Sequence, residues 1–313
     1  MLISVALIVS TSVASAAAAT RPPHVIGSIT VGTSPQDIAV DGQTGTIYVE
    51  NTGSGTVSVI NGVTDRVTAT ITLPSAFQCV AVNPVTGSIY VVGSGGVLSV
   101  INGATNAVAA TLSLGSALCC VAVNPLTNHI YVTDQGLNDV MVIDGRHNVV
   151  IARIGVQSNP QGVAVNPKTN TVYVANNSSN TVSVIDGSTN TVTGTISVGS
   201  APNNFAVDVV SDTIYVSNSL SDTVSVIDGG SDQVTQNIVV GNIPEALAID
   251  QWRNIVYVAN TGSDTLSVID GVTKTVTASV AVGPEPTDPG VDPLTNTIFV
   301  ANYGSTYLTI VRG

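Results

Sequence analysis

The sequence predicts an all-β fold, a seven-bladed β-propeller with four antiparallel strands per blade. Three observations carry this reading. Apolar residues alternate with a period of two in runs such as TVYVAN (171–176) and TVSVID (181–186), the patterning of half-buried strands. Asn- and Ser-rich segments and Asp-Gly pairs separate these runs, which is the chemistry of tight turns between antiparallel strands. The pattern also repeats. Tyr48, Tyr90, Tyr131, Tyr173, Tyr215, Tyr257 and Phe299 follow one another at 42, 41, 42, 42, 42 and 42 residues. A fixed period of roughly 40–45 residues with four strands per unit is the signature of a propeller blade. One blade alone leaves both faces of its sheet wet. Radial stacking buries them, and closing the ring removes the open ends.

The unit is clearest in the fourth repeat, with strands a (162–166), b (171–175), c (181–186) and d (191–198). Each buried ring side chain contributes roughly 1.5–3 kcal/mol. The chain ends fit the same register. Residues 25–31 match strand d, and residues 307–312 match strand c. The N-terminal strand is therefore expected to complete the seventh sheet beside 307–312. No segment shows the 3.6-residue period of an amphipathic helix.

Residues 1–19 stand apart as a secretory signal peptide, leaving 20–313 as the propeller. Leu2 to Val9 is apolar, and Ala14-Ser15-Ala16 has the small-x-small form of a cleavage site. The apolar run is shorter than the roughly 20 residues that span a bilayer. A secreted, periplasmic or cell-surface protein follows, a monomer with no transmembrane segment after signal removal. Composition agrees. Charged residues make up 9%, with 8 Lys+Arg against 20 Asp+Glu and a net charge of -12. Such a surface repels nucleic acid, and no basic patch with interleaved aromatics appears.

The motifs IYVEN (47–51), VYVAN (172–176), IYVSN (214–218), VYVAN (256–260) and IFVAN (298–302), with the SVIDG segments, resemble the YVTN β-propeller repeats of bacterial and archaeal secreted and surface-layer-like proteins. The resemblance covers everything after the signal and implies a fold rather than an activity. Blades two and three depart from it, with IYVVG (89–93) and IYVTD (130–134).

In a propeller, d-to-a and b-to-c loops share one face, the top. That face is expected to carry Asp37, Glu50, Asp134, Asp139, Asp222, Glu245, Asp264, Glu285 and Asp288, and no Lys or Arg. Aligning the inner strands gives a ring of Asp37, Cys79, Cys120, Gly162, Asn204, Ala246 and Asp288, preceded by Gln36, Gln78, Cys119, Gln161, Asn203, Glu245 and Thr287. Blades seven and one are neighbours, so Asp288 and Asp37 should approach at the channel mouth, with Glu245 one blade back. Glu50 stands where other blades have small or apolar residues.

The expected binding set is Gln36, Asp37, Glu50, Gln161, Asn204, Glu245 and Asp288. Within it, Asp37, Glu50, Glu245 and Asp288 have the oxygen chemistry for Ca²⁺ or Mg²⁺. An exported chain permits disulfides. Strict alternation would put Cys79 and Cys119 on facing sides of neighbouring blades. A strained Cys119–Cys120 bond and three buried thiols are the other options. No catalytic set emerges: His24, His129 and His147 fall near the bottom, and no Ser has His and Asp partners. The expected function is a non-catalytic binding module whose acidic top face takes a protein, a glycan or a small cationic ligand. The alternative is a metal-dependent lactonase- or lyase-like enzyme at the channel mouth, and a structural envelope protein is third.

Overall fold

A computed structural model describes residues 22–73, 78–93, 95–115 and 117–313; the segment expected to be a signal peptide (1–19) lies outside them. The described residues form seven sheets of four antiparallel strands. In blade 4 the strands Pro160–Asn166, Thr171–Asn176, Thr181–Asp186 and Thr191–Ser197 pair in chain order. Blade 7 is built from both ends of the chain. His24–Thr30 runs beside Tyr307–Arg312, with His24 opposite Arg312 and Thr30 opposite Tyr307. This is the ring closure expected from the sequence.

Turn chemistry explains the Asn-rich punctuation. All three turns of blade 4 close on a left-handed residue: Asn170 at φ 56, Asn180 at φ 56 and Asn190 at φ 55. Asn tolerates this region because its short polar side chain bonds locally.

The repeated motif is an interlock between neighbours. Val172, Tyr173, Val174 and Ala175 are fully buried. Tyr131 of blade 3 reaches the Asp-Gly turn of blade 4. A Cβ on Gly187 would lie 2.8 Å from the Tyr131 hydroxyl and 2.7 Å from Asn170 Oδ1. Glycine is required there by close approach. The motif Asn closes the b-to-c turn. Asn176 Nδ2 donates to Thr181 Oγ1 at 3.1 Å and Ser183 Oγ at 2.9 Å, while its Oδ1 accepts the Gln157 N–H at 3.2 Å. These bonds satisfy a buried amide and tie the turn to the loop entering the same blade. In blade 3 Asp134 takes this place, and its Oδ1 accepts the Gly136 and Leu137 N–H groups at 2.9 and 3.2 Å.

The inner strands start earlier than simple alternation suggests, and they start with a bulge. In blade 4 the register passes from Pro160 opposite Asn176 to Val163 opposite Val174. Gln161 and Gly162 therefore share one partner position. Blades 3, 5, 6 and 7 do the same. A bulge bends the strand and re-aims its side chains, here at the mouth of the central channel.

Candidate functional site at the channel mouth

The bulged strand starts surround a cavity of about 380 Å³. Its outer layer is polar: Gln36, Gln78, Gln161, Asn203, Glu245 and Thr287. Its inner layer is Asp37, Cys79, Cys120, Gly162, Asn204, Ala246 and Asp288. Below this layer the channel wall turns apolar, with Val40, Val163, Leu247, Ile249 and Val291. The inner layer is thus the boundary between a wet mouth and a greasy channel.

Part of that layer is a continuous bonded row. Asp288 Oδ2 accepts the Ile38 N–H of the next blade at 2.9 Å. Asp37 Oδ2 accepts the Val80 N–H of the next blade at 2.6 Å. Cys79 Sγ accepts the Val121 N–H of the next blade at 3.3 Å. The charge of Asp37 is felt on both sides, by Asp288 and by the Cys79 thiol. Cys79 Sγ lies 2.6 Å from Cys120 Sγ. Burial pushes both aspartates up, and the charge of Asp37 pushes Asp288 further. Two coupled buried carboxyls do not both ionise readily, so the pair is held towards its protonated form. The Cys79 thiol is held up first by its bond to Cys120 and then by burial. Burial also pushes up Cys119.

The cysteine pairing expected from alternation is corrected here. Cys79 meets Cys120, not Cys119. The register of blade 3 passes from Leu118 opposite Asp134 to Val121 opposite Val132, so Cys119 and Cys120 share Thr133. The bulge breaks the alternation. Cys120 N–H donates to Thr133 Oγ1 at 2.9 Å, and Cys119 turns to the mouth and donates to Gln161 Oε1 at 2.9 Å.

The four acids proposed from the sequence do not sit together. Glu50 lies opposite Asp37 on strand Thr46–Asn51, fully buried and outside the lining of the mouth. Its Oε2 accepts the Thr52 hydroxyl at 2.8 Å, and its Oε1 has no partner among the described residues. Burial pushes its pKa up to about 8, with a smaller rise from the charge of Asp37 and an opposing pull from Thr52. Glu245 lines the mouth, and burial pushes its carboxyl up. Among the described residues it has no charged neighbour that offsets this. Asn204 spends its Oδ1 on the Phe205 N–H at 2.8 Å. Among the described residues no three His, Cys, Asp or Glu side chains are arranged to hold a metal ion.

Two further findings revise the acidic top face. Arg153 reaches it from an outer strand, pairing with Asp139 at 3.1 Å and lying 4.0 Å from buried Asp134. Asp222 and Asp264 are latches: their Oδ1 atoms accept the Ile243 and Glu285 N–H groups of the next loop, each at 2.9 Å. Asn138 and Asn180 do the same for Asn159 and Ala201 at 2.8 and 2.9 Å, so these acids occupy a position of the repeat that neutral Asn fills equally well. None of the histidines lines the mouth. His147 pairs with Asp144 at 2.6 Å, His129 sits edge-on to Tyr131, and His24 bonds Pro22. Gln135, which does line the mouth, was not legible in the repeat because it lies in a loop of the departing blade 3.

Comparison with known families matches residues 201–302 to the YNCE-like beta-propeller and residues 158–185 to the NHL repeat. The chain is a β-propeller repeat protein, and these matches together with its seven blades support the YVTN/NHL type. Comparison with curated proteins gives no match. Among solved structures this propeller resembles hydrazine synthase of Kuenenia stuttgartiensis. The TM-score is 0.80 at 17% identity, covering 91% of this chain and 97% of that one. At that identity the likeness is one of fold alone.

Proposed function

We propose that this propeller is an exported, monomeric, non-catalytic binding module that takes a cationic group at its channel mouth. The group belongs to a small ligand, a protein or a glycan. The observation that carries the reading is Glu245. Its carboxylate faces a cavity of about 380 Å³ among amide side chains, and burial has raised its pKa. A carboxylate stripped of water and lacking a protein cation gains most from a cationic partner with N–H donors. Gln36, Gln78 and Gln161 offer both donors and acceptors to orient it. The secreted, periplasmic or cell-surface location rests on the leader-like residues 1–19 and the sparse charge of the chain.

Calorimetric titration with primary amines, amino sugars and neutral sugars tests the reading. Amine binding that weakens roughly tenfold in Glu245→Gln, and that fades with salt, is expected. Absence of amine binding, or equal binding by the variant, sinks it. The alternative is a metal-dependent lactonase- or lyase-like enzyme, favoured by the buried acids Asp37, Asp288 and Glu50 beside the mouth. Native mass spectrometry with and without chelator separates the two: a stoichiometric Ca²⁺ or Mg²⁺ lost on chelation supports the alternative.

A further inference from the structure

We infer that Cys79 and Cys120 form an inter-blade disulfide that leaves Cys119 as the free thiol of the channel mouth. Cys79 is the first residue and Cys120 the third of the inner strands of neighbouring blades, Cys79–Asn83 and Leu118–Asn124. Their sulfurs are in direct contact. Cys79 Sγ is held in place by the Val121 N–H, one residue beyond Cys120. Cys119 is turned away by the bulge and bonded to Gln161 of blade 4. Pairing Cys119 with either neighbour would require that bulge to be undone and the Gln161 bond broken.

The surroundings suit the reaction. Both cysteines line the mouth cavity, which is the side from which an oxidant approaches. Asp37 stands beside Cys79, its Oδ2 accepting the N–H of Val80, the next residue, at 2.6 Å. With a low-molecular-weight disulfide as oxidant, Cys120 Sγ gives up its proton to solvent and attacks one of the oxidant's sulfurs, releasing one thiolate and forming a mixed disulfide. Cys79 Sγ then attacks Cys120 Sγ, passing its proton to Asp37, and the second thiolate leaves. Two protein thiols are oxidised, and one oxidant disulfide is reduced to two thiols. The inference does not depend on what binds at Glu245.

The test is incubation of the folded mature protein with oxidised glutathione, followed by denaturation and thiol counting. One free thiol is expected. Cleavage after Tyr90 should leave the Cys79 fragment joined to the fragment holding Cys119 and Cys120 until a reductant is added. Cys119→Ser should keep that link, and Cys120→Ser should lose it. The linked form should unfold about 5 °C above the reduced form, because the bond constrains the unfolded chain. Asp37→Asn should slow the second step roughly tenfold while leaving the pairing unchanged. Three free thiols after oxidation, or a link that survives in Cys120→Ser and disappears in Cys119→Ser, would overturn the assignment.

Discussion

The ring at the channel mouth divides into two arcs. Blades 7, 1, 2 and 3 contribute Asp288, Asp37, Cys79 and Cys120, a bonded row of ionisable side chains. Blades 4, 5 and 6 contribute Gly162, Asn204 and Ala246. Both arcs are built from the same four-stranded antiparallel sheets. The difference lies in how the space between inner strands is filled. In the first arc Asp288, Asp37 and Cys79 each reach forward to an N–H of the next blade, and Cys120 Sγ meets Cys79 Sγ. At Gly162 the next blade occupies that space: a Cβ would stand 2.3 Å from Asn203 O and 2.9 Å from Asn204 Cα. A repeat fold thus leaves this position free to vary, provided that either a side chain or the neighbouring backbone fills the gap.

Exchanging residues between the arcs should have the largest effect. Gly162→Asp forces a side chain against backbone that cannot rotate away, at a cost of about 3 kcal/mol. Urea unfolding reads the loss, and an unchanged midpoint would show that blades 4 and 5 can separate freely. Next comes Asp37→Ala, which strands the buried Val80 N–H and removes the partner of Asp288. A loss of about 2 kcal/mol is expected, with no comparable loss from Ala246→Ser in the quiet arc.

Acidity also distinguishes the arcs. Glu50 behind the first arc titrates at about 8 when folded, against an ordinary value of 4.5. The folded state therefore keeps a proton that the unfolded state has already lost. Stability present below 4.5 is lost as pH rises towards 8. Asp37 and Asp288, also raised, tilt the curve the same way. Thermal melts should give a higher Tm near about pH 5 than near about pH 8.5. Glu50→Gln should flatten much of that slope and stabilise the protein at the alkaline end. A flat wild-type profile would mean that these carboxyls reach water more freely than their burial indicates. A smaller effect is expected for Arg153→Ala. It frees the charges of Asp139 and Asp134, but Arg153 is itself 40% exposed, so screening limits the cost to about 1 kcal/mol.

What was legible in the sequence follows the same division. The Tyr period set the blade count and ring closure, because a repeated interlock such as Tyr131 against Gly187 leaves a repeated mark. Ring membership was legible too, since it is a matter of alignment. Side-chain direction was not. The bulge at Cys119 and Cys120 changes the register without changing the repeat length, so alternation picked the wrong sulfur. Arg153 escaped for a related reason: it belongs to an outer strand, and only its long side chain carries its charge to the top loops. Glu50 was visible as an odd residue at its position, but the sequence did not show that it is fully buried behind the lining of the mouth.

Glu245→Gln should perturb stability least and tests the arcs most sharply. Glu245 flanks the quiet arc, and among the described residues no N–H depends on its carboxylate for a partner; its backbone carbonyl accepts the Ser217 hydroxyl. Neutralising it should therefore shift stability by no more than about 0.5 kcal/mol. Any small gain should appear at alkaline pH, where the buried charge is no longer formed. Asp37 and Glu245 are both acids of the same mouth, yet one is bonded into the frame and the other is not. A variant that melts like the wild type but loses amine binding would assign ligand recognition to the unbonded acid. A variant that loses stability on the scale of Asp37→Ala would instead make Glu245 another strut of the ring, and the cationic site would have to be sought elsewhere on the molecule.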